Sequence, residues 1–230
     1  MKKIFTLIVM AVMALGVNAQ KYYFTESDIV AQGSLANGTT FGDGFVKCVD
    51  EVAKMAIDGN NAYFGDATTQ TKFTHRLKSG AKSQTGDGKH NQVELTVSAA
   101  GTLKVYARTG SNSATDRNLV ITQNEAELYN RVVKEADAVK VAGLDEANPA
   151  KETNVYPIIS VEVAAGKVVL TYPTGSLNFY GFEAANGATA IQTVKATQAN
   201  DGAVYNLAGQ KVGNDFKGIV IKDGKKMLQK

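Results

Sequence analysis

Residues 93–97 read Val93-Glu94-Leu95-Thr96-Val97, and residues 103–108 read Leu103-Lys104-Val105-Tyr106-Ala107-Arg108. Ala99-Ala100-Gly101-Thr102 lies between them. Apolar and polar side chains alternate in both runs, and a period of two is the signature of a half-buried strand. Val93, Leu95 and Val97 therefore share one face of the first strand, while Lys104, Tyr106 and Arg108 share the polar face of the second. The connection is short enough for a hairpin.

The same pattern continues on either side. Asn118 to Thr122, Tyr156 to Val163, Lys167 to Tyr172 and Leu177 to Glu183 are further β-rich runs. Ala164-Ala165-Gly166 and Pro173-Thr174-Gly175-Ser176 separate the last three with turn chemistry. Arg131 to Leu144 is ambiguous, because its valines also permit a short helix. No long 3.6-residue period appears, which argues against a helical bundle or a doubly wound sheet. The expected fold is all-β: an antiparallel two-sheet β-sandwich, jelly-roll-like, with a small C-terminal β-hairpin unit.

Composition agrees. The 230 residues are 44% hydrophobic and 20% charged, as in a globular protein. One Cys excludes a disulfide framework and any zinc site of several cysteines. Cys48, within Phe45-Val46-Lys47-Cys48-Val49, reads as a buried small hydrophobe, with a reactive thiol as the alternative. Lys2 and Lys3 precede an apolar run from Ile4 to Gly16, and Val17-Asn18-Ala19 supplies small residues for cleavage. This is the pattern of a secretory signal peptide, and the run is shorter than the roughly 20 residues of a membrane span. Cleavage after Ala19 removes two lysines and lowers the net charge from +3 to +1. A nearly neutral chain has no electrostatic case for nucleic acid, and no transmembrane segment is expected after cleavage.

The expected divisions are a signal peptide at 1–19, a sandwich domain at 20–185, a linker at 186–201 and a β-hairpin tail at 202–230. The linker is Ala-, Thr- and Asn-rich, and the tail carries a favoured hairpin pair, Asp223-Gly224.

Two stretches resemble known families. Tyr205, Asn206, Gly209, Gln210, Lys211 and Val212, followed by Lys217, Gly218, Ile219, Gly224, Lys225 and Lys226, resemble C-terminal segments of exported proteins from bacteria of the Bacteroidetes type. Related tails are sorting signals for type IX secretion; Val220 stands where the commoner pattern has Tyr. The body resembles accessory β-sandwich modules found beside pectate lyases. The matching residues run through Phe73-Thr74-His75-Arg76-Leu77-Lys78-Ser79-Gly80, Gly101 to Arg108, Asp116-Arg117-Asn118-Leu119-Val120 and Leu177 to Glu183. These resemblances imply a carbohydrate-binding role outside the cytoplasm, extracellular or at the cell surface, with the periplasm as the fallback.

Sugar recognition uses flat aromatic faces and planar polar groups. The chain has no Trp, so Tyr must supply the platform. Tyr22, Tyr23, Tyr63, Tyr129, Tyr156 and Tyr172 are candidates, with Tyr106 on the polar face of its strand. Each has a structural alternative in a core or rim. Arg76, Lys78, Arg108 and Arg117 are candidates for binding uronate carboxylates, against the alternative of surface charges or ion pairs. The candidate carbohydrate site is thus Arg76, Lys78, Arg108, Arg117, Tyr106 and Tyr129.

Catalytic signatures are poor. His75 and His90 are the only histidines, and their separation is no metal signature. No Gly-x-Ser-x-Gly elbow occurs. Gly42-Asp43-Gly44 and Gly86-Asp87-Gly88 read as turns, and Asp58-Gly59-Asn60-Asn61 lacks the EF-hand ladder. No cofactor is expected; structural calcium is common in sugar-binding sandwiches, but no ligand set for it is visible. The expected function is noncatalytic glycan binding at or outside the cell surface. The alternatives are a structural or adhesive protein with an envelope protein partner, and a small polysaccharide lyase or hydrolase.

Overall fold

Alternating strands bury one face each, and two such faces close over a shared core. The computed structural model describes residues 19–84, 86–186, 204–206, 210–213, 216–222 and 225–229. The chain divides into two compact units, 1–188 and 189–230.

Among the described residues the first unit has fourteen strands: β1 (Gln20–Tyr23), β2 (Thr40–Phe41), β3 (Val46–Asp50), β4 (Ala56–Gly65), β5 (Gln70–Lys78), β6 (Asn91–Val97), β7 (Gly101–Thr109), β8 (Asn118–Gln123), β9 (Ala126–Val132), β10 (Val139–Val141), β11 (Thr153–Tyr156), β12 (Ile159–Val163), β13 (Gly166–Thr171) and β14 (Leu177–Asn186). One sheet runs β10-β11-β4-β5-β14-β7-β12, with β1 added along β14, and the other runs β2-β3-β6-β13-β8-β9. Pairing in both is antiparallel except β11 with β4, which are parallel. Leu103, Val105 and Ala107 of β7 meet Val93, Leu95 and Val97 of β6 in the main core. The chain is an all-β sandwich, as its alternation predicts.

The expected hairpin between residues 97 and 103 is not formed. β6 pairs with β3 and β13, whereas β7 pairs with β14 and β12. The short connection crosses from one sheet to the other, a gap of about 10 Å that three extended residues can span. Alternation reports which side chains share a face, not which strand is the neighbour. Tyr156 to Val163 also departs from expectation: it divides at Pro157, which cannot donate to a ladder, into β11 and β12. The ambiguous stretch 131–144 becomes the end of β9, a single 3-10 turn at Glu135–Asp137, and β10.

The sheet containing β7 is covered on its outer face as well. Ala62, Phe64, Phe73, Tyr106, Tyr156 and Tyr180 form a second apolar cluster there, with Tyr23, Ala138 and Ile158 packed against it. A bulge in β14 between Phe179 and Gly181 lets Phe179 and Phe182 point into the main core while Tyr180 points out. Gly181 is required for this arrangement. A Cβ there would come within 2.4 Å of the Tyr23 ring and 2.8 Å of the Tyr22 carbonyl oxygen, where β1 crosses β14. Tyr106 is 3% exposed, so it is a core residue and not the surface platform expected of its strand's polar face.

Cys48 is fully buried, and burial with the nearby Asp50 charge pushes its thiol up to about 12. It stays protonated at neutral pH.

The second unit is a four-stranded antiparallel sheet of β15 (Val204–Asn206), β16 (Lys211–Val212), β17 (Gly218–Lys222) and β18 (Lys225–Gln229), in the order β16-β15-β17-β18. β17 and β18 form the expected hairpin pairing, and their turn, Asp223-Gly224, lies outside the described residues. Of the segment read as a signal peptide only Ala19 is described, and of the segment read as a linker only Asn186. Among the described residues no helix is long and apolar enough to cross a membrane.

Candidate functional site

A cleft of about 770 Å³ opens on the outer side of the sheet that holds β4, β5 and β7. β4 contributes Asn61 and Tyr63, β5 contributes Lys72, and the end of β7 contributes Arg108. The opposite wall is the chain from Glu135 to Glu152, which holds the 3-10 turn, β10 and the irregular stretch after it, closed by Asn154 and Tyr156 of β11. Parallel pairing sets Val155 against Tyr63 and Tyr156 against Phe64, which places β11 beside the cleft. The Tyr63 hydroxyl donates to the Leu144 carbonyl at 2.8 Å and ties the wall to the sheet.

Arg108 lies over the ring of Tyr156, its Cζ 5.0 Å from the centroid. Its Nη2 donates to Asn112 Oδ1 at 2.8 Å, while its Nε is buried without a partner among the described residues. Glu135 accepts at Oε1 from the Tyr156 hydroxyl at 2.5 Å and from Asn154 Nδ2 at 3.0 Å. Its Oε2 is likewise buried without a partner. Burial, then the hydrogen bond to Glu135, hold the Tyr156 phenol well above its ordinary pKa. It keeps its proton at neutral pH and is no base.

The remaining charges along the wall are largely matched. Lys151 pairs with Asp145 at 2.9 Å, and Lys140 with Glu152 at 3.7 Å. Lys72 reaches over the Tyr63 ring, 6.0 Å from its centroid. The cleft therefore offers a flat guanidinium, a half-buried phenol ring and three side-chain amides, the groups that fork onto hydroxyls and pack against C–H faces.

Of the six residues read as a carbohydrate site, Arg108 alone lines this cleft. Arg76 and Lys78 converge instead on Asp58, at 2.8 Å and 2.9 Å. Burial raises the Asp58 pKa, but hydrogen bonds and charge from these two cations outweigh it and hold the carboxyl below its ordinary value. Arg117 donates from Nη1 to the Thr174 carbonyl at 3.0 Å, with Asp116 at 3.9 Å. Tyr106 is buried in the outer cluster. Tyr129 sits on β9 of the other sheet, packed against the main core with Arg131 5.9 Å from its ring. Long cations on a sheet find nearby carboxylates and carbonyls, which explains the dispersal. Tyr156 was visible as one of several tyrosines. Glu135, Asn112 and Asn154 carried no signal, because they sit in turns or next to irregular chain that has no period. Among the described residues no group of three or more His, Cys, Asp or Glu is placed to hold a metal ion.

No known family and no curated protein matches the sequence. Among solved structures, a chain from the Ruminococcus flavefaciens cellulosome, presented as reflecting an expansion in glycan recognition, is similar over 74% of this chain and 94% of its own, at 15% identity and a TM-score of 0.36. The catalytic unit of a thermostable GH87 α-1,3-glucanase from Streptomyces thermodiastaticus is similar over 70% of this chain and 29% of its own, at 16% identity and a TM-score of 0.33. A GH87 α-1,3-glucanase catalytic domain in complex with nigerose is similar over 69% and 30%, at 13% identity and a TM-score of 0.32. Scores this low assign no function to this chain.

Proposed function

We propose that this protein is an exported, noncatalytic β-sandwich that binds glycans in the Arg108 cleft. One observation carries the reading. Among the described residues Arg108 Nε and Glu135 Oε2 are buried without partners beside Tyr156, in a cleft that Asn61, Asn112, Asn154 and Tyr63 line together with lysines and carboxylates. Buried polar groups are nearly always hydrogen-bonded, and of the three unmet ones among the described residues two fall in this cleft, the third being Arg117 Nε, which supports a polar ligand there. A polyhydroxylated ligand supplies both donors and acceptors, the complement of a guanidinium and a carboxylate.

A hydrolase or lyase needs a free base beside a pair of acids. Of the cleft's four carboxylates, Asp145 and Glu152 are engaged by lysines and Glu135 by Tyr156 and Asn154, which leaves Glu146, and Tyr156 holds its proton; this favours binding over catalysis. Export rests on the pattern of Met1 to Ala19, and delivery to the cell surface on the tail from Ala203 to Lys230.

A glycan array followed by titration calorimetry tests the reading. The wild type is expected to bind at least one glycan class with a Kd below about 1 mM. Arg108→Ala should lose about tenfold or more of that affinity. Absence of binding across plant and host glycans, or release of new reducing or unsaturated ends from any of them, contradicts it.

A further inference from the structure

We infer that the cleft selects neutral glycans through a pair of adjacent hydroxyls and disfavours uronates. This rests on the glycan-binding reading and reverses the expectation that cations at Arg76, Lys78, Arg108 and Arg117 gather acidic sugars. Three of those four lie outside the cleft, where Asp58 or the Thr174 carbonyl occupies them.

Charge within the cleft is balanced. Lys140 and Lys151 are paired with Glu152 and Asp145. That leaves Arg108 and Lys72 against Glu135 and Glu146, so no net positive field collects a carboxylate. Glu135 is also fixed in place, accepting from both Tyr156 and Asn154. Arg108 lies over the ring whose hydroxyl Glu135 holds. A uronate carboxylate on Arg108 thus meets the Glu135 charge across a single tyrosine, in a cleft that screens charge less than open water does.

A hydroxyl does not meet that obstacle, because it both donates and accepts. One hydroxyl accepts from the Arg108 guanidinium while its neighbour donates to the Glu135 carboxylate. Each contact involves a charged group, and each answers an atom unpartnered among the described residues. Tyr63 also lines the cleft, with Lys72 reaching over its ring.

Calorimetry with size-matched neutral oligosaccharides (gluco-, xylo-, manno- and galacto-series) and oligogalacturonates tests the inference on the full mature chain. At least one neutral series should bind about tenfold or more tighter than the oligogalacturonate. Glu135→Gln, nearly isosteric and checked for folding by circular dichroism, should weaken the neutral ligand and strengthen the uronate, narrowing that ratio. Tighter binding of the oligogalacturonate by the wild type overturns the inference while leaving glycan binding intact. So does an unchanged ratio in a folded Glu135→Gln protein. Binding of neither class overturns both.

Discussion

The hydroxyl of Tyr156 donates to Glu135 Oε1 at 2.5 Å, joining the outer aromatic cluster to the wall of the cleft. Tyr156 is 3% exposed, so this bond lies at the boundary between packing and recognition. Tyr156→Phe keeps the ring under Arg108 but leaves the Glu135 carboxylate with Asn154 alone. We expect a loss of about 1–3 kcal/mol in urea unfolding, together with weaker glycan binding. An unchanged unfolding midpoint would show that the bond contributes nothing.

Arg108 separates binding from stability. Among the described residues its Nε is buried and unpartnered, so removing the side chain relieves a cost as well as breaking its bond to Asn112. Arg108→Ala should therefore change unfolding free energy by less than about 1 kcal/mol while abolishing most affinity. Arg108→Lys should not rescue binding, because an ammonium cannot stack flat on Tyr156 while presenting a fork of donors. Full affinity in the Lys variant would reduce Arg108 to a simple charge.

The outer aromatic cluster is a second core. Phe64 is fully buried there, with Phe73, Tyr106, Tyr156 and Tyr180 around it at centroid distances of 5.2 to 5.7 Å. Phe64→Ala should cost about 3–5 kcal/mol, as a cavity in the main core would. A cost within about 0.5 kcal/mol, typical of a surface position, would contradict that description.

Strands were legible in this sequence because period two is a local property of residues such as Val93, Leu95 and Val97. Neighbours were not, since a three-residue link serves a hairpin and a sheet-to-sheet crossing equally well. Tyr106 shows the same limit: alternation places it opposite Val105, but its cover comes from Tyr23 and from chain around Tyr156, far away in sequence. Of the site, a cation at the end of a β-run was visible. Its partner acid, Glu135, sits in a single 3-10 turn where no pattern announces it.

Asp58 should confer acid sensitivity. Its native pKa lies below the ordinary 3.8, so the stability it contributes is complete above that value and is lost as pH falls through the lowered native one. Unfolding curves measured from pH 6 downward should fall less steeply below about pH 4 for Asp58→Asn than for the wild type. Parallel curves would show that Arg76 and Lys78 do not hold the carboxyl.

Gly175 and Arg117 should act as one unit. A Cβ at Gly175 would fall 1.4 Å from Arg117 Nη1, so the guanidinium must leave the Thr174 carbonyl. Gly175→Ala and Arg117→Ala should each cost about 1 kcal/mol, with a double variant well short of additive. Neither should alter glycan affinity, because Arg117 does not line the cleft. Lost affinity in either would move the site toward the β13–β14 connection.

The location of the bound glycan decides the central claim. Amide and side-chain NMR shifts recorded during titration with the tightest array ligand should change first at Asn61, Lys72, Arg108, Asn112, Glu135 and Asn154, around the one cleft. Shifts gathered instead on β2, β9 and Tyr129 of the opposite sheet, or on the four-stranded tail, would contradict it.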